Sequence, residues 1–477
     1  MTRLVIGPFN RVEGDLEVTL DVDLGQVWQA YVNSPLYRGF EEILQGKSAM
    51  DALVIVPRIC GICSVSQSAA SAHALRALMQ IEPPTNGRLA ECLVTACENM
   101  ADHLTHFYLF FMPDFTRMEY RHKGWFERID SRFRAITGSA TADLLPARAS
   151  FMHVMGLMAG KWPHTLTLQP GGSARPLAQA DVLQLIALLA DFRRFLERHL
   201  FGDRLEAFAA LDNADALTHW RMTHQGDLSL FLEAADDLGL DEMGKATDRF
   251  LSYGTYDALE GTLFSAGVWD GELRPFVPSS IAEDVSHAWM AGDTRTPDRG
   301  ITQPLPDKPD AYTWCKAPRY DHRVMETGAL ARQMVSGHPL IRDMVIKRGG
   351  SVAARVLARV LELALVVPHM ESWARSIQLN APWCHDVVHI DSGHARGLTE
   401  AARGGLGHWV HVEQGRIVNY QIIAPTTWNF SPRDVHGVPG ALEQALVGLL
   451  VPPGDVTPVA AQHVVRSFDP CMVCTVH

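Results

Sequence analysis

Arg58-Ile59-Cys60-Gly61-Ile62-Cys63, near the start of a chain of 477 residues, has a counterpart at its end, Asp469-Pro470-Cys471-Met472-Val473-Cys474-Thr475-Val476-His477. Each stretch holds a Cys-x-x-Cys pair, and the tight turn inside such a pair sets two sulfurs a few ångströms apart. Two such loops facing each other offer four thiolates in a tetrahedral pattern. The cysteines alone also fit a structural zinc ion or a redox pair. Zinc ribbons, however, keep their two loops close together in sequence. Loops at opposite ends of a long chain suit a site buried between distant elements, and they require the two ends to be neighbours in the fold.

Outward from the first loop, residues 15–23 and 26–33 flank Gly25 and predict a hairpin. Residues 408–412 and 416–423 around Gln414-Gly415 predict another near the end. Between them the pattern is helical. Residues 177–198 follow Pro176, a favourable first-turn residue, and Val182, Leu185, Ile186, Leu189 and Phe192 recur at helical spacing. Helices are also expected over 88–111, 328–347, 352–376 and, shorter, 440–450. Residues 292–318, rich in Pro, Asp and Thr, read as a long surface connection. The length alone suggests about three domains, but no repeat or domain break is visible, so residues 1–477 are taken as a single domain.

The composition is that of an ordinary globular protein, 47% hydrophobic and 20% charged. With 42 basic against 54 acidic residues the net charge is −12, which argues against non-specific nucleic-acid binding and against an anionic membrane surface. No apolar run reaches the roughly 18 residues needed to span a bilayer; residues 352–367 come closest, interrupted by Arg355, Arg359 and Glu362. No secretory signal is visible at the N-terminus, so a cytoplasmic chain is expected, with export on a signal-bearing partner left open. Cys92, Cys97, Cys315 and Cys384 read as small buried apolar side chains. His73 and His408 are taken as structural.

The residues around the two loops resemble the metal-binding motifs of the large subunit of nickel–iron hydrogenases. The resemblance continues through Arg11-Val12-Glu13-Gly14, Arg38-Gly39-Phe40-Glu41, Asp102-His103 with His106-Phe107-Tyr108, Pro170-Gly171-Gly172, Lys316-Ala317-Pro318-Arg319-Tyr320, Arg403-Gly404 and Pro425-Thr426-Thr427-Trp428-Asn429. Each string is weak alone; in this order and spacing they are specific. The resemblance implies a mainly α fold with small β-sheets, a central bundle of long helices and a metal site built from both ends. The quinone-site subunit of respiratory complex I shares that fold but lacks the four cysteines.

What the resemblance implies for the site can be set out residue by residue. Cys60 and Cys471 would be terminal nickel ligands. Cys63 and Cys474 would bridge to an iron carrying carbon monoxide and cyanide, and soft thiolates suit both metals. Dihydrogen would be split heterolytically, with a terminal sulfur as first base and Glu13 as proton relay. Arg403 would lie over the open coordination position, balanced by Asp102 and Asp469. Arg403 and Thr426, the latter next to Pro425, would donate hydrogen bonds to the cyanides. Glu41, the backbone carbonyl of Ile422 and His477 would hold a magnesium-like ion. Iron–sulfur clusters would lie on an obligate small-subunit partner, because this chain has no further cysteine cluster for one.

Three positions depart from the common family pattern. Gln67 stands where a histidine is usual, so a contact near Cys63 becomes neutral. Ile62 replaces a common valine, and Phe110 a leucine of the gas channel; both add bulk along the path to the metals. Together they resemble the dihydrogen-sensing, or regulatory, branch, with a histidine kinase as signalling partner and a dimer of heterodimers as candidate assembly. An energy-conserving uptake hydrogenase is the alternative, and a zinc-stabilised structural subunit is the alternative of another class. Most members lose a C-terminal extension after the histidine; His477 is compatible with a processed chain or with a gene product lacking one.

Overall fold

A three-stranded antiparallel sheet forms near each end of the chain, in the computed structural model that describes residues 2–259 and 261–475. The first orders Thr2–Ile6, Glu17–Asp23 and Gln26–Asn33. Val18 and Leu20 alternate inward with the pleat and are fully buried. The second orders Gly393–Ala401, Gly404–Glu413 and Arg416–Ile423, turning at Gln414 and Gly415, which both adopt left-handed backbone. Both predicted hairpins are present. The strand Gly393–Ala401 was not foreseen. Glycines break its pattern because the strand runs against the Ser64–Met79 helix, where a Cβ on Gly397 would lie 1.9 Å from the Ala70 carbonyl oxygen.

Long helices make the centre. Thr85–Thr105, Ala140–Phe151, Gln179–Phe195 and Val352–Arg375 bury apolar stripes against one another. Each fully buried Leu or Phe among them contributes about 1.5–3 kcal/mol before entropy is counted. The mainly α fold with small sheets, as expected, is what forms.

The boundaries depart from expectation where local chemistry intervenes. The predicted helix over 88–111 is α-helical to Thr105 and then widens into a π turn, His106–Phe111. The helix expected from 177 starts at Gln179, where the Ala178 amide donates to Asp181 at 2.9 Å, so Pro176 lies before its first turn. The single helix expected over 328–347 is two, Ala329–Ser336 and Pro339–Arg348, because Gly337 turns left-handed and Pro339 lacks an amide hydrogen. Ser351 caps Val352–Arg375 by accepting from the Ala354 amide at 3.2 Å. The last predicted helix is confined to Ala441–Leu446. The hairpin Phe250–Ala258 with Gly261–Trp269 was not anticipated.

Residues 292–318 are not merely a surface connection. Thr302, Thr313, Cys315 and Lys316 are buried, and Ala317–Tyr320 pairs with Ile281–Asp284. Among the described residues no helix is long and apolar enough to cross a membrane.

Candidate metal centre

The first cysteine loop leaves a short turn, Val56–Ile59, that has Pro57 in it. Cys60 is extended and Cys63 caps the Ser64–Met79 helix. The second follows the helix Val459–Ser467 and passes through Asp469, held at φ 56°, before Cys471 and the turn Met472–Cys474. The four sulfurs lie within 4.8 Å of one another and are buried. Cys60 Sγ is 3.5 Å from Cys471 Sγ, Cys63 Sγ 3.2 Å from Cys474 Sγ, and Cys471 Sγ 3.1 Å from Cys474 Sγ. They sit in an apolar cluster of their own, shared with Ile59, Leu406 and Ile422 and separate from the core of the bundle.

One residue, Arg38, joins the two loops, and a second, Glu13, ties the N-terminal segment to the second loop. The Arg38 guanidinium donates to the carbonyls of both Ile59 and Val473, each one residue before a ligand cysteine. The Glu13 carbonyl accepts from the Met472 amide at 2.7 Å, so the N-terminal segment runs parallel to the second loop. A third residue, Glu98, holds the first loop from behind. Its carboxylate accepts from the amides of Val65 and Ser66 at 2.8 and 2.9 Å, from the Ser66 hydroxyl at 3.0 Å and from Trp162 at 3.0 Å. It thereby satisfies the open N-terminus of the helix that Cys63 begins.

The charges define what can sit among the sulfurs. Hydrogen bonding among the four pushes Cys63 and Cys471 well above the ordinary thiol range and Cys60 well below it. Four thiolates at these distances would repel one another, and a thiophilic metal among them would offset that repulsion.

Above the cluster, Arg403 Nη1 contacts Asp102 Oδ2 at 2.8 Å, and Nη2 contacts Asp469 Oδ1 at 3.1 Å. Its Nε donates to the Asp469 carbonyl at 2.9 Å. Burial would lower the guanidinium pKa, but the two aspartates outweigh it and raise it well above normal. Burial lifts the Asp102 carboxyl above the ordinary range, and Arg403 limits the rise. Gly404 adopts φ 131°, and a Cβ there would lie 2.4 Å from Thr327 Oγ1, so only glycine lets the chain turn directly after Arg403. Thr426, in the short helix Pro425–Asn429, accepts from the Cys471 amide at 3.2 Å, which leaves its own O–H to donate. Glu13 is half-buried, and burial followed by the Cys60 sulfur raises its carboxyl pKa.

Glu41 is fully buried. It accepts from the Ile422 amide at 2.8 Å, from the Thr302 hydroxyl and from Lys316 Nζ at 3.3 Å. Sequence reasoning named the Ile422 carbonyl, whereas the contact seen to Glu41 is through the amide. His477 lies outside the described residues. Gln67 is buried, and its Oε1 faces His408 Nε2 at 2.8 Å. Ile62 packs on the apolar shell of the sulfurs. Phe110 is half-buried in the π turn, with its carbonyl accepting from Arg11 at 3.2 Å, and is no part of that shell. Cys92, Cys97 and Cys315 are buried as expected, whereas Cys384 is only half-buried because it lies in an irregular segment. His73 is held between the Leu398 carbonyl and Glu91.

Sequence reasoning assigned no role to Arg38, Glu98 or the stripe Arg355, Arg359 and Glu362. That stripe was treated only as a break in an apolar run, yet its helical spacing on a buried helix was the visible signal.

Residues 38–122 and 139–477 match the family model described as nickel-dependent hydrogenase. In an alignment of 520 residues the chain is 28% identical to the periplasmic [NiFeSe] hydrogenase large subunit of Desulfomicrobium baculatum, covering 100% of this chain and 95% of that one. It is 24% identical over 569 residues to the hydrogenase-2 large chain of Escherichia coli K12, covering 100% and 97%. The solved [NiFeSe] hydrogenase of Dm. baculatum superposes with a TM-score of 0.87 at 27% identity, and that of D. vulgaris Hildenborough with 0.84 at 29%, each covering 100% of both chains. A family match that spans both cysteine loops, on a fold shared from end to end with solved hydrogenases, means that the chain belongs to the nickel-dependent hydrogenase family as a large subunit acting on dihydrogen.

Proposed function

We propose that Cys60, Cys63, Cys471 and Cys474 hold a nickel–iron centre at which dihydrogen is cleaved heterolytically, in a chain tuned for sensing. The observation that carries the centre is the convergence of four buried sulfurs beneath the Arg403 guanidinium. When bound, nickel and iron with its carbon monoxide and cyanide ligands would supply the Lewis acidity that polarises dihydrogen.

The chain's own residues do the rest. Cys60 and Cys471 would hold the nickel, and Cys63 and Cys474 would hold nickel and iron together. A terminal sulfur would take the proton. Glu13, its carboxyl lifted by burial and by Cys60, is suited to hold that proton next and pass it outward. Arg403 and Thr426 would donate hydrogen bonds to the iron's cyanides, and Asp102 and Asp469 fix the guanidinium. Glu41, the Ile422 carbonyl and His477 are the proposed magnesium ligands; the buried carboxylate of Glu41 suits a hard cation. The only thiol cluster among the described residues is the metal site itself, which supports electron transfer to an iron–sulfur small subunit.

The sensing role, with a histidine kinase as recipient and a dimer of heterodimers as assembly, rests on the residue types at Gln67, Ile62 and Phe110, of which Ile62 packs on the apolar shell of the sulfurs and Phe110 does not. Gln67, whose amide carries no charge, contacts His408 Nε2 at 2.8 Å one helical turn after Cys63. The second reading, an energy-conserving uptake enzyme, is favoured by relatives whose names are uptake hydrogenase large subunit and hydrogenase-2 large chain.

Elemental analysis and infrared spectroscopy of the purified heterodimer test the centre. Nickel and iron in near-equal amounts with metal-bound diatomic bands are expected; zinc without such bands would end the reading. Slow dye reduction supports the sensor, and fast turnover supports the uptake enzyme. Ile62→Val with Phe110→Leu should make activity sensitive to dioxygen, and unchanged tolerance would remove the narrowed channel.

A further inference from the structure

The helix Val352–Arg375 is apolar where it faces the bundle, but Arg355, Arg359 and Glu362 are 2%, 4% and 0% exposed. At this spacing they form one stripe; Arg355 and Arg359 face the segment that leads to Cys471, while Glu362 pairs with Arg332 and His103. Arg355 is paired with Glu326 at 2.7 and 2.9 Å, and its guanidinium lies 3.8 Å from the centroid of the Phe468 ring. Arg359, one turn on, donates from Nη1 to the Ser467 carbonyl at 2.5 Å. Its Nε stands 3.9 Å from Asp469 Oδ2. Neither of these two buried atoms has a hydrogen-bond partner among the described residues, and they face each other. Asp469 Oδ1, the other oxygen of the same carboxylate, contacts Arg403.

The charge balance gives Arg359 a role beyond packing. Asp469 stands between two guanidiniums, Arg403 on Oδ1 and Arg359 facing Oδ2, while burial lifts the neighbouring Asp102 carboxyl to about 7. His103 and His106 also approach Asp469, but burial lowers both imidazoles, His106 to about 3, so they remain neutral. Arg359 is therefore the second positive charge. Without it the outer oxygen of Asp469 is left buried with no charged neighbour, a costly arrangement.

On the nickel–iron reading above, we infer that Arg359 is a positioning residue for the site. It holds the outer oxygen of Asp469 and the Ser467 carbonyl, fixes the left-handed turn at Asp469, and so sets where Arg403 hangs over the metals. It touches no ligand cysteine and moves no proton.

The test uses the intact heterodimer carrying Arg359→Met or Arg359→Lys, read by nickel and iron content, by the infrared bands of the diatomic ligands and by kcat and KM for dihydrogen. Arg359→Met should keep both metals, shift the bands and lower kcat by about ten- to a hundredfold through misplacement of Arg403, with KM changed by less than about twofold. Arg359→Lys, which keeps the charge, should return the bands towards wild type. If the Met variant fails to load but the Lys variant loads with near-wild-type bands, the charge role is upheld. Bands or kcat unmoved in a loaded Met variant overturn the assignment, as does equal loss of metal by both variants, which would mark Arg359 as a structural tie only. Wild-type protein without diatomic bands would instead sink the nickel–iron reading itself.

Discussion

The two cysteine loops reach one pocket by different physical means. The first is held largely by what lies next to it in sequence: Pro57 shapes its entry, Cys63 begins the Ser64–Met79 helix, and the Ile62 amide turns back on Cys60 Sγ at 3.3 Å. The exceptions are Glu98, which closes the open end of that helix, and Arg38, which donates to the Ile59 carbonyl. The second loop has little local support. Its approach passes through a left-handed aspartate, and its groups are held by Arg403, Thr426, Arg359, Arg38 and the Glu13 carbonyl, all remote from it in sequence. A metal site of this kind joins a locally organised half to a half that exists only once the chain has folded around it. Substitutions near the second loop should thus disturb reactivity, while those behind the first should mostly disturb stability.

Sulfur removal is the most severe way to break the contrast. Cys63→Ser and Cys474→Ser should both abolish nickel and iron binding, measured by elemental analysis of the purified heterodimer. One loop tolerating the change would mean that the halves are not equal ligands. Next comes Arg403→Lys, which keeps the charge but cannot reach both aspartates and the Asp469 carbonyl together. Turnover should drop by about a hundred- to a thousandfold with metals retained, the range found for loss of one well-placed donor. Glu13→Gln should lower turnover by about a hundredfold while leaving metal content and diatomic bands unchanged. Wild-type turnover would place the proton exit elsewhere.

The smallest expected effect tests the first loop. Glu98→Gln removes one acceptor from several buried donors and should lower stability by about 1–3 kcal/mol, read as thermal melting. Its pH dependence has a definite sign. Burial, against the pull of the Val65 amide, raises the Glu98 carboxyl to about 7, above its unfolded value near 4.5. The folded chain then binds this proton more tightly than the unfolded one. The contribution is complete below about pH 4.5 and is lost as pH rises through 7. Glu98→Gln should flatten that part of the melting profile, and an unchanged slope would show that other buried carboxyls set it.

Legibility followed the same division. The two cysteine pairs, Glu13, Arg403 and its aspartates were readable because each belongs to a short string of characteristic spacing. The hairpins around Gly25 and Gln414-Gly415 were readable because turn residues interrupt strands that alternate. The Gly393–Ala401 strand was not, since its glycines answer to the helix beneath it and not to strand propensity. The buried face of residues 292–318 was hidden too, because Thr302 and Lys316 are polar and gain their burial by meeting Glu41, Glu283 and Gln421.

By itself, the sequence determined the ligand chemistry: eight cysteines of which four are paired, no cysteine cluster left over for electron transfer, and carboxylates and arginines in recognisable strings. Only the tertiary structure decided that the sulfurs meet within 4.8 Å, that Arg38 spans both loops, and that Arg359 of an otherwise apolar helix faces the outer oxygen of Asp469. Spacing along a chain encodes turns and helical faces, which are local. Convergence of distant segments, and the neutralisation of buried charge that goes with it, depends on packing and is settled when the core closes.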